Sequence, residues 1–193
     1  LTNRNVEWFN SCVKGIIQNM KYAAFLRGIN VGGKTSIKME ELRKIFSLLG
    51  FANVKTYIQS GNVIFETDET DEIELTAKIE KAVEINFFKT PVMIRSIDEI
   101  KEAVANNPFA DEEFEEKFFH LVFLAEKLSD EKTEMLLSNN RESEKFAVRN
   151  REVYCLLRDG VADSLLGKKY IDNKLKVAAT ARNWRTVNKI LEL

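Results

Sequence analysis

A chain of 193 residues with 45% hydrophobic and 31% charged side chains has the composition of a globular protein with a sizeable core, in one domain or two small ones. Its 29 basic and 30 acidic residues nearly balance, which argues against recruitment of nucleic acid or anionic membrane by net charge. No apolar run is long enough to span a membrane, and none has the layout of a signal peptide. Two widely separated cysteines, Cys12 and Cys155, are typical of free thiols in a reducing compartment, so we expect a cytoplasmic protein.

Residues 1–19 differ from the rest of the chain, because they are polar and have no clear hydrophobic period. Met20 directly precedes the first strong strand pattern. We therefore interpret residues 1–19 as a poorly ordered leader and Met20 as the true start of the protein. The alternative is a real N-terminal helix with Val6, Phe9 and Val13 on one face.

The pattern from residue 20 to 95 predicts a first ferredoxin-like half. Its elements, in order, are a strand at 22–26, a glycine-rich loop, a helix at 39–49, strands at 54–59 and 62–66 joined by Ser60-Gly61, a helix after the acidic run 68–72, and a strand at 91–94. The order βαββαβ is that of a split βαβ unit.

A similar pattern follows residues 96–116, which we interpret as a connecting helix at 97–105, capped by Ser96 and Glu99, and an acidic linker. Residues 117–193 predict a second ferredoxin-like half. Its elements are a strand at 118–124, a helix to 138, strands at 145–149 and 153–157, a helix around 165–171, an apolar segment near Val177, and an amphipathic helix that residues 180–184 open. We therefore predict an α+β fold of two tandem ferredoxin-like halves with mainly antiparallel sheets.

This topology predicts a site at one edge of the first sheet. The first strand ends where the second strand ends and the third begins, so the glycine-rich loop and the turn at 59–62 should meet there, with Arg27 and Asn62 in reach of each other. In such a site the cations would attract an anion, the polar side chains would orient it, and the glycines would leave backbone amides open to it. The predicted ligand-binding residues here are Arg27, Gly28, Asn30, Gly32, Gly33, Lys34, Gln59, Ser60 and Asn62. The alternatives are that these are only well-made turns, or that an internal carboxylate neutralises Arg27 and makes it a structural clasp.

The C-terminal segment adds Arg182 and Asn183 to the predicted ligand-binding set. Charged residues from Ser164 onward are mostly basic, and Arg182 is placed at a predicted helix start, where the helix dipole disfavours a cation. We therefore expect an anionic partner for Arg182, either a ligand or a carboxylate of the protein. Trp184 is interpreted as a core anchor of the last helix.

Several motifs favour structural readings. Residues 28–35 match the phosphate-loop pattern GxxxxGK[ST], but the helix pattern starts only near Met39 and a hairpin follows, which argues against a nucleoside triphosphatase. The third strand has no aromatic residue at the positions that stack bases in RNA-recognition sheets. His120 is interpreted as a buried or edge-strand residue and Cys155 as a small core residue. One histidine and two separated cysteines give no His/Cys metal set, so the sequence marks no metal site, and carboxylate-only Mg²⁺ binding stays an open alternative.

Four segments resemble, in order, motifs of the domain of unknown function 1697 family: LRGINVGG at 26–33, YIQSGNV at 57–63, NPF at 107–109, and RNW at 182–184 with Thr186 and Val187. The resemblance runs from Met20 to the C-terminus, and it implies a cytoplasmic bacterial or archaeal protein with two related ferredoxin-like halves. The family has no established activity, so no catalytic residue is carried over. This chain has Ala181 where the family tends to have the second of two threonines.

Three classes of function are consistent with these residues. The leading expectation is a non-catalytic or regulatory module that binds a small anionic ligand, carrying phosphate or carboxylate and including nucleotides, at the glycine-rich loop. The second is an enzyme that acts on a phosphorylated or carboxylated substrate through positioning and electrostatics, without a histidine base. The third is a protein-interaction scaffold whose motifs are purely structural. Neither nucleic acid nor membrane is an expected partner, and the sequence identifies no cofactor or oligomeric state.

Overall fold

The computed structural model describes residues 19–31 and 36–193, and in this part the fold is α+β with two four-stranded antiparallel sheets. The first sheet has the order β2-β3-β1-β4 and the second the order β6-β7-β5-β8, so the two sheets repeat one arrangement. The strands are β1 (Met20–Leu26), β2 (Ala52–Tyr57), β3 (Asn62–Thr67), β4 (Val92–Ser96), β5 (Phe119–Leu124), β6 (Glu144–Arg149), β7 (Glu152–Leu157) and β8 (Ala179–Asn183). The leader predicted at 1–19 falls, up to residue 18, outside the described residues.

Six helices accompany these strands in the described part, and most begin at a polar cap. They are α1 (Met39–Leu48), α2 (Glu72–Asn86), α3 (Ile97–Ala105), α4 (Asp130–Leu137), α5 (Tyr170–Asn173) and α6 (Trp184–Leu191). The capping box predicted for α3 is confirmed, because the Ser96 and Glu99 side chains each accept a hydrogen bond from the other residue's backbone N–H. Asn183 caps α6 in the same place, directly after a strand.

The two sheets pack face to face, and alternate residues of each central strand enter different cores. In β1, Tyr22, Ala24 and Leu26 pack against α1 and α2, while Ala23 and Phe25 point toward the second sheet. The core between the sheets also holds apolar residues of α3 and α6. A third core joins the outer face of the second sheet to α4 and α5. Because both faces of β1 and β5 are buried, each reads as a continuous apolar run.

The segment before β8 departs from the sequence prediction. The helix predicted around 165–171 is wrong, since the only helix of the described residues there is the four-residue α5. Lys169 has a φ of 55°, in the left-handed region, and residues 161–169 form turns. A Cβ on Gly167 would lie 2.1 Å from the Val161 carbonyl oxygen, so this turn is closed too tightly for any other residue.

The predicted helix opening at 180–184 is also corrected. Ala179–Asn183 form β8, which pairs with β5, and α6 begins only at Trp184. Arg182 therefore lies in a strand and not at a helix start, so the helix-dipole argument for its anionic partner does not apply.

Candidate functional site

The glycine-rich loop and the β2–β3 turn meet at one end of the first sheet, which we call the loop end (residues 27–31 and 59–62). The Leu26 backbone N–H donates to the Gly61 carbonyl at 2.9 Å, and Asn30 Nδ2 donates to the Gln59 carbonyl at 2.7 Å. Gly61 has a φ of 75°, and a Cβ there would lie 2.7 Å from Ile29 Cδ1. The turn therefore packs onto the loop because Gly61 has no side chain.

Asn30 uses its amide to close the loop. Its φ is 55°, and its side chain donates to the Ile37 carbonyl at 3.0 Å and accepts from the Ile37 N–H at 2.8 Å. These bonds connect Asn30, which precedes residues 32–35, to Ile37, which follows them. Gly32, Gly33 and Lys34 of the predicted set lie outside the described residues. Gly28 has a φ of 62°, a left-handed backbone conformation that glycine adopts without steric cost.

Asn62 is fully buried and forms hydrogen bonds both within the β2–β3 turn and to the second sheet. Its Nδ2 donates to the Tyr57 carbonyl and to Ser60 Oγ, both at 3.0 Å, while its Oδ1 accepts from Arg182 Nε. No hydrogen bond joins Asn62 to Arg27 in the described part of the chain. The sequence placed the two residues at the same sheet edge, but Asn62 is hydrogen-bonded to Arg182 of β8, and Arg27 is ion-paired with Asp172 of α5.

Arg182 is 7% exposed and connects the second sheet to the loop end. Its Nη2 donates to the carbonyls of Leu26 and Ser60, both at 3.0 Å, and its Nη1 donates to Thr180 Oγ1 at 2.6 Å and the Ala181 carbonyl at 2.7 Å. With the Nε bond to Asn62, every N–H of the guanidinium is used. Arg182 therefore has no donor left for a ligand.

Neutral groups accept all the hydrogen bonds that the Arg182 guanidinium donates. Among residues 19–31 and 36–193, no carboxylate lies within ion-pair distance of it, and burial lowers the pKa of Arg182 to about 10. The guanidinium lies over the Phe25 ring at 5.5 Å, which compensates only part of the lost hydration. The internal carboxylate, one of the two partners expected from the sequence, is not found among the described residues; the observed acceptors are carbonyls, a hydroxyl and an amide.

Arg95 occupies the corresponding place in β4, as the second-last residue of the strand. Its Nη2 donates to the carbonyls of Leu124 at 2.8 Å and Arg151 at 3.1 Å, and its guanidinium lies over the Phe123 ring at 5.8 Å. Its Nε, however, donates to the Glu152 carboxylate at 2.6 Å. Glu152 begins β7 as Asn62 begins β3, so the two halves of the molecule are joined by reciprocal arginines, one paired with a carboxylate and the other with an amide.

Arg27 has a carboxylate partner from α5, Asp172, which is the alternative that the sequence left open. Its Nη2 lies 2.9 Å from Asp172 Oδ1, but that oxygen accepts no hydrogen bond, so the contact is an ion pair without hydrogen-bond alignment. Burial raises the pKa of the Asp172 carboxyl, while the charges of Arg27 and Lys169 lower it. The Arg27 side chain is 33% exposed, and its guanidinium N–H groups have no acceptor among the described residues.

The remaining predicted site residues have structural partners. The Gln59 carbonyl accepts from Asn30, Ser60 accepts from Asn62 and Arg182, and the Asn183 side chain accepts from the Thr186 N–H at 2.8 Å. Sequence reasoning missed Asp172 and Lys169, because no motif or spacing relates them to the glycine-rich loop. It also missed Arg95 and Glu152, although an arginine directly before a helix cap occurs in both halves.

A family model for proteins of unknown function, DUF1697, matches residues 20–154, which is most of the chain. The chain belongs to the DUF1697 family. Among solved structures, this DUF1697 protein is similar to the conserved bacterial protein SP0830 from Streptococcus pneumoniae, with 23% identity and a TM-score of 0.73 over 91% of this chain and 98% of that chain. This likeness concerns the fold. No curated protein sequence matches the chain.

The motifs of this DUF1697 protein have a structural role in the described residues. Leu26, Ser60 and Asn62 supply the acceptors of Arg182, and these four residues come from three of the segments that carry the family resemblance.

Within the described ranges, no helix has the length and apolar character needed to cross a membrane.

Proposed function

We propose that this chain is a binding module for a small anionic ligand that carries phosphate or carboxylate, nucleotides included, and that the ligand binds at the loop end. The observation that carries the proposal is the state of Arg27, whose guanidinium is partly exposed and ion-paired without being hydrogen-bonded. An anion that accepts from these N–H groups would form charge-assisted hydrogen bonds, which are stronger than the unaligned contact with Asp172.

The surroundings of Arg27 favour an anion further. Arg182 is a buried cation whose described neighbours include no ion-pair partner, and Lys169 is exposed close to Asp172. A buried charge of one sign is costly, and a ligand of opposite charge at the adjacent surface reduces that cost. Asp172 competes with the ligand weakly, since burial disfavours its ionised form.

The architecture that we propose for this module is a pair of tandem ferredoxin-like halves. The βαββαβ order of elements and the repeated strand order support this assignment. In such an arrangement the first half supplies the loop and the second supplies Asp172, Lys169 and Arg182, so the proposed site needs both.

Calorimetric titration with inorganic pyrophosphate at low ionic strength tests the proposal. We expect wild-type protein to bind pyrophosphate and Arg27→Gln to bind it about tenfold or more weakly, because one charge-assisted contact is removed. Lys21→Gln removes the same charge from the opposite end of β1 and should keep nearly wild-type affinity. Absence of binding by the wild type, or an equal loss in Lys21→Gln, would contradict the proposal.

A further inference from the structure

A second recess lies at the end of the second sheet that corresponds, in strand order, to the loop end of the first sheet. A cleft of about 440 Å³ opens between α3, the connection after β5 and the β6–β7 turn. The connection after β5 and the β6–β7 turn correspond to the glycine-rich loop and the β2–β3 turn of the first sheet. The cleft has the size typical of pockets for small molecules.

Part of the charge in this cleft is already paired. Arg151 donates to both carboxylate oxygens of Glu72 and to Glu99 Oε1 at 3.0 Å, and Glu152 is held by Arg95. These groups form a fixed wall. Tyr154 strengthens it, because its hydroxyl donates to the Ala103 carbonyl of α3 at 2.8 Å and ties that helix to β7.

Three charged side chains of the lining remain available. Glu102 on α3, Lys127 after β5 and Arg149 at the β6–β7 turn are exposed, and none of their side chains makes a hydrogen bond or ion pair within the described residues. The free groups therefore carry both signs, one carboxylate and two cations, around a cleft whose walls are held by bonds of their own. This differs from the loop end, where the partly free group is a cation.

We propose that this cleft binds a zwitterionic ligand of the amino-acid or short-peptide class. The ligand ammonium would be bound by Glu102 and the ligand carboxylate by Arg149, with Lys127 beside it. A guanidinium matches a carboxylate in a planar, two-bond geometry, which gives the carboxylate end its orientation. Opposite charges on one small molecule satisfy a lining of mixed sign better than an ion of either sign alone.

The test uses alanine and dialanine as probes of the full chain in calorimetric titrations. We expect binding of at least one probe, and a loss of tenfold or more when its amine is acetylated or its carboxylate is amidated. Glu102→Gln and Arg149→Gln should each weaken binding by a similar factor, while Lys174→Gln, which removes an exposed cation from another part of the surface, should not. Because Glu102 and Arg149 are exposed, both variants should keep the wild-type melting temperature.

Two results would overturn the proposal. One is that neither probe binds the wild-type protein at millimolar concentration. The other is that the acetylated or amidated probe binds as well as the free one, which would show that the cleft does not recognise the ammonium and carboxylate charges of the ligand. The pyrophosphate titration at the loop end concerns a different set of residues, so either site can fail without the other.

Discussion

Arg95 and Arg182 show how one residue type can be used twice with different electrostatic results. Each donates to one strand carbonyl and one hairpin-turn carbonyl on the opposite side of the core and lies over a phenylalanine ring. The difference is the residue that begins the neighbouring strand, Glu152 in one case and Asn62 in the other. A carboxylate neutralises the buried cation, whereas an amide only satisfies its hydrogen bond, and this leaves positive charge near the loop end.

Replacing Arg182 by methionine should destabilise the protein by about 3 kcal/mol or more. The buried oxygens of Asn62, Leu26 and Ser60 would lose their donor, and each unsatisfied buried acceptor costs about 1–3 kcal/mol. Arg185→Met, a change of the same type at an exposed position of α6, should alter stability by only about 0.5 kcal/mol. Denaturant unfolding measures both, and equal effects would contradict the structural role of Arg182.

His120 should make the stability fall as the solution becomes acidic. Burial lowers the pKa of His120 below its usual 6.5, outweighing a backbone hydrogen bond at Phe118, so the unfolded chain takes up the proton at a higher pH than the folded chain. The contribution of His120 to the free energy of unfolding is therefore fully present above the pKa of the unfolded chain. It is lost as the pH falls through that value towards the lowered pKa of the folded chain. His120 is the single histidine, so His120→Gln should flatten the melting temperature between about pH 7 and pH 5. Parallel curves for variant and wild type would rule this out.

At the scale of elements, the contact between the glycine-rich loop and the β2–β3 turn depends on Gly61. In Gly61→Ala the new methyl would meet Ile29 and Leu26 atoms at 2.7–2.9 Å while φ stays at 75°, so we expect a loss of about 2–4 kcal/mol from crowding and strain. Gly50→Ala has a φ of 90° but open space around the methyl, so it should cost only about 1 kcal/mol of strain. Thermal unfolding compares them, and a similar cost for both would show that the loop does not pack on the turn.

The elements that sequence reasoning placed well are those whose signal is local. The apolar runs of β1 and β5 reflect strands buried on both faces, and the spacing of Ser96 and Glu99 reflects a cap that involves one turn of helix. The segment before β8 was misread because its conformation depends on the close approach at Gly167 and on pairing of β8 with β5. The spacing of the apolar residues at 165–171 is compatible with a helix, and the apolar segment near residue 177 favours no particular element. Tertiary contacts decide which secondary structure forms there.

The candidate site was predictable only in part for a related reason. Connectivity places the ends of β1, β2 and β3 at one edge, and that inference needs no information about the second half. The partners of Arg27 and Asn62 come from residues more than a hundred positions later, Asp172 and Arg182. No periodicity relates such positions, so the packing of the two sheets had to be known before the partners could be assigned.

At the scale of the whole molecule, the core between the sheets should make both halves unfold together. Phe25 and Phe123 stack with ring centroids 4.0 Å apart, and α3 and α6 enter the same core. A double-mutant cycle of Phe25→Leu and Phe123→Leu should therefore give a coupling of about 0.5–1.5 kcal/mol, beyond the loss of buried area. Denaturant unfolding with one shared transition measures it, and additive single losses would contradict direct packing of the two sheets through these rings.

In the anion site that we propose at the loop end, Asp172 and the ligand compete for Arg27. The most direct measurement is therefore the pyrophosphate dissociation constant of Asp172→Asn, which removes the competing charge and keeps the side-chain shape. We predict that this variant binds pyrophosphate several-fold more tightly than the wild type, and that adding Arg27→Gln abolishes the gain. Unchanged or weaker binding by Asp172→Asn would contradict the central claim that the free charge of Arg27 binds the anion.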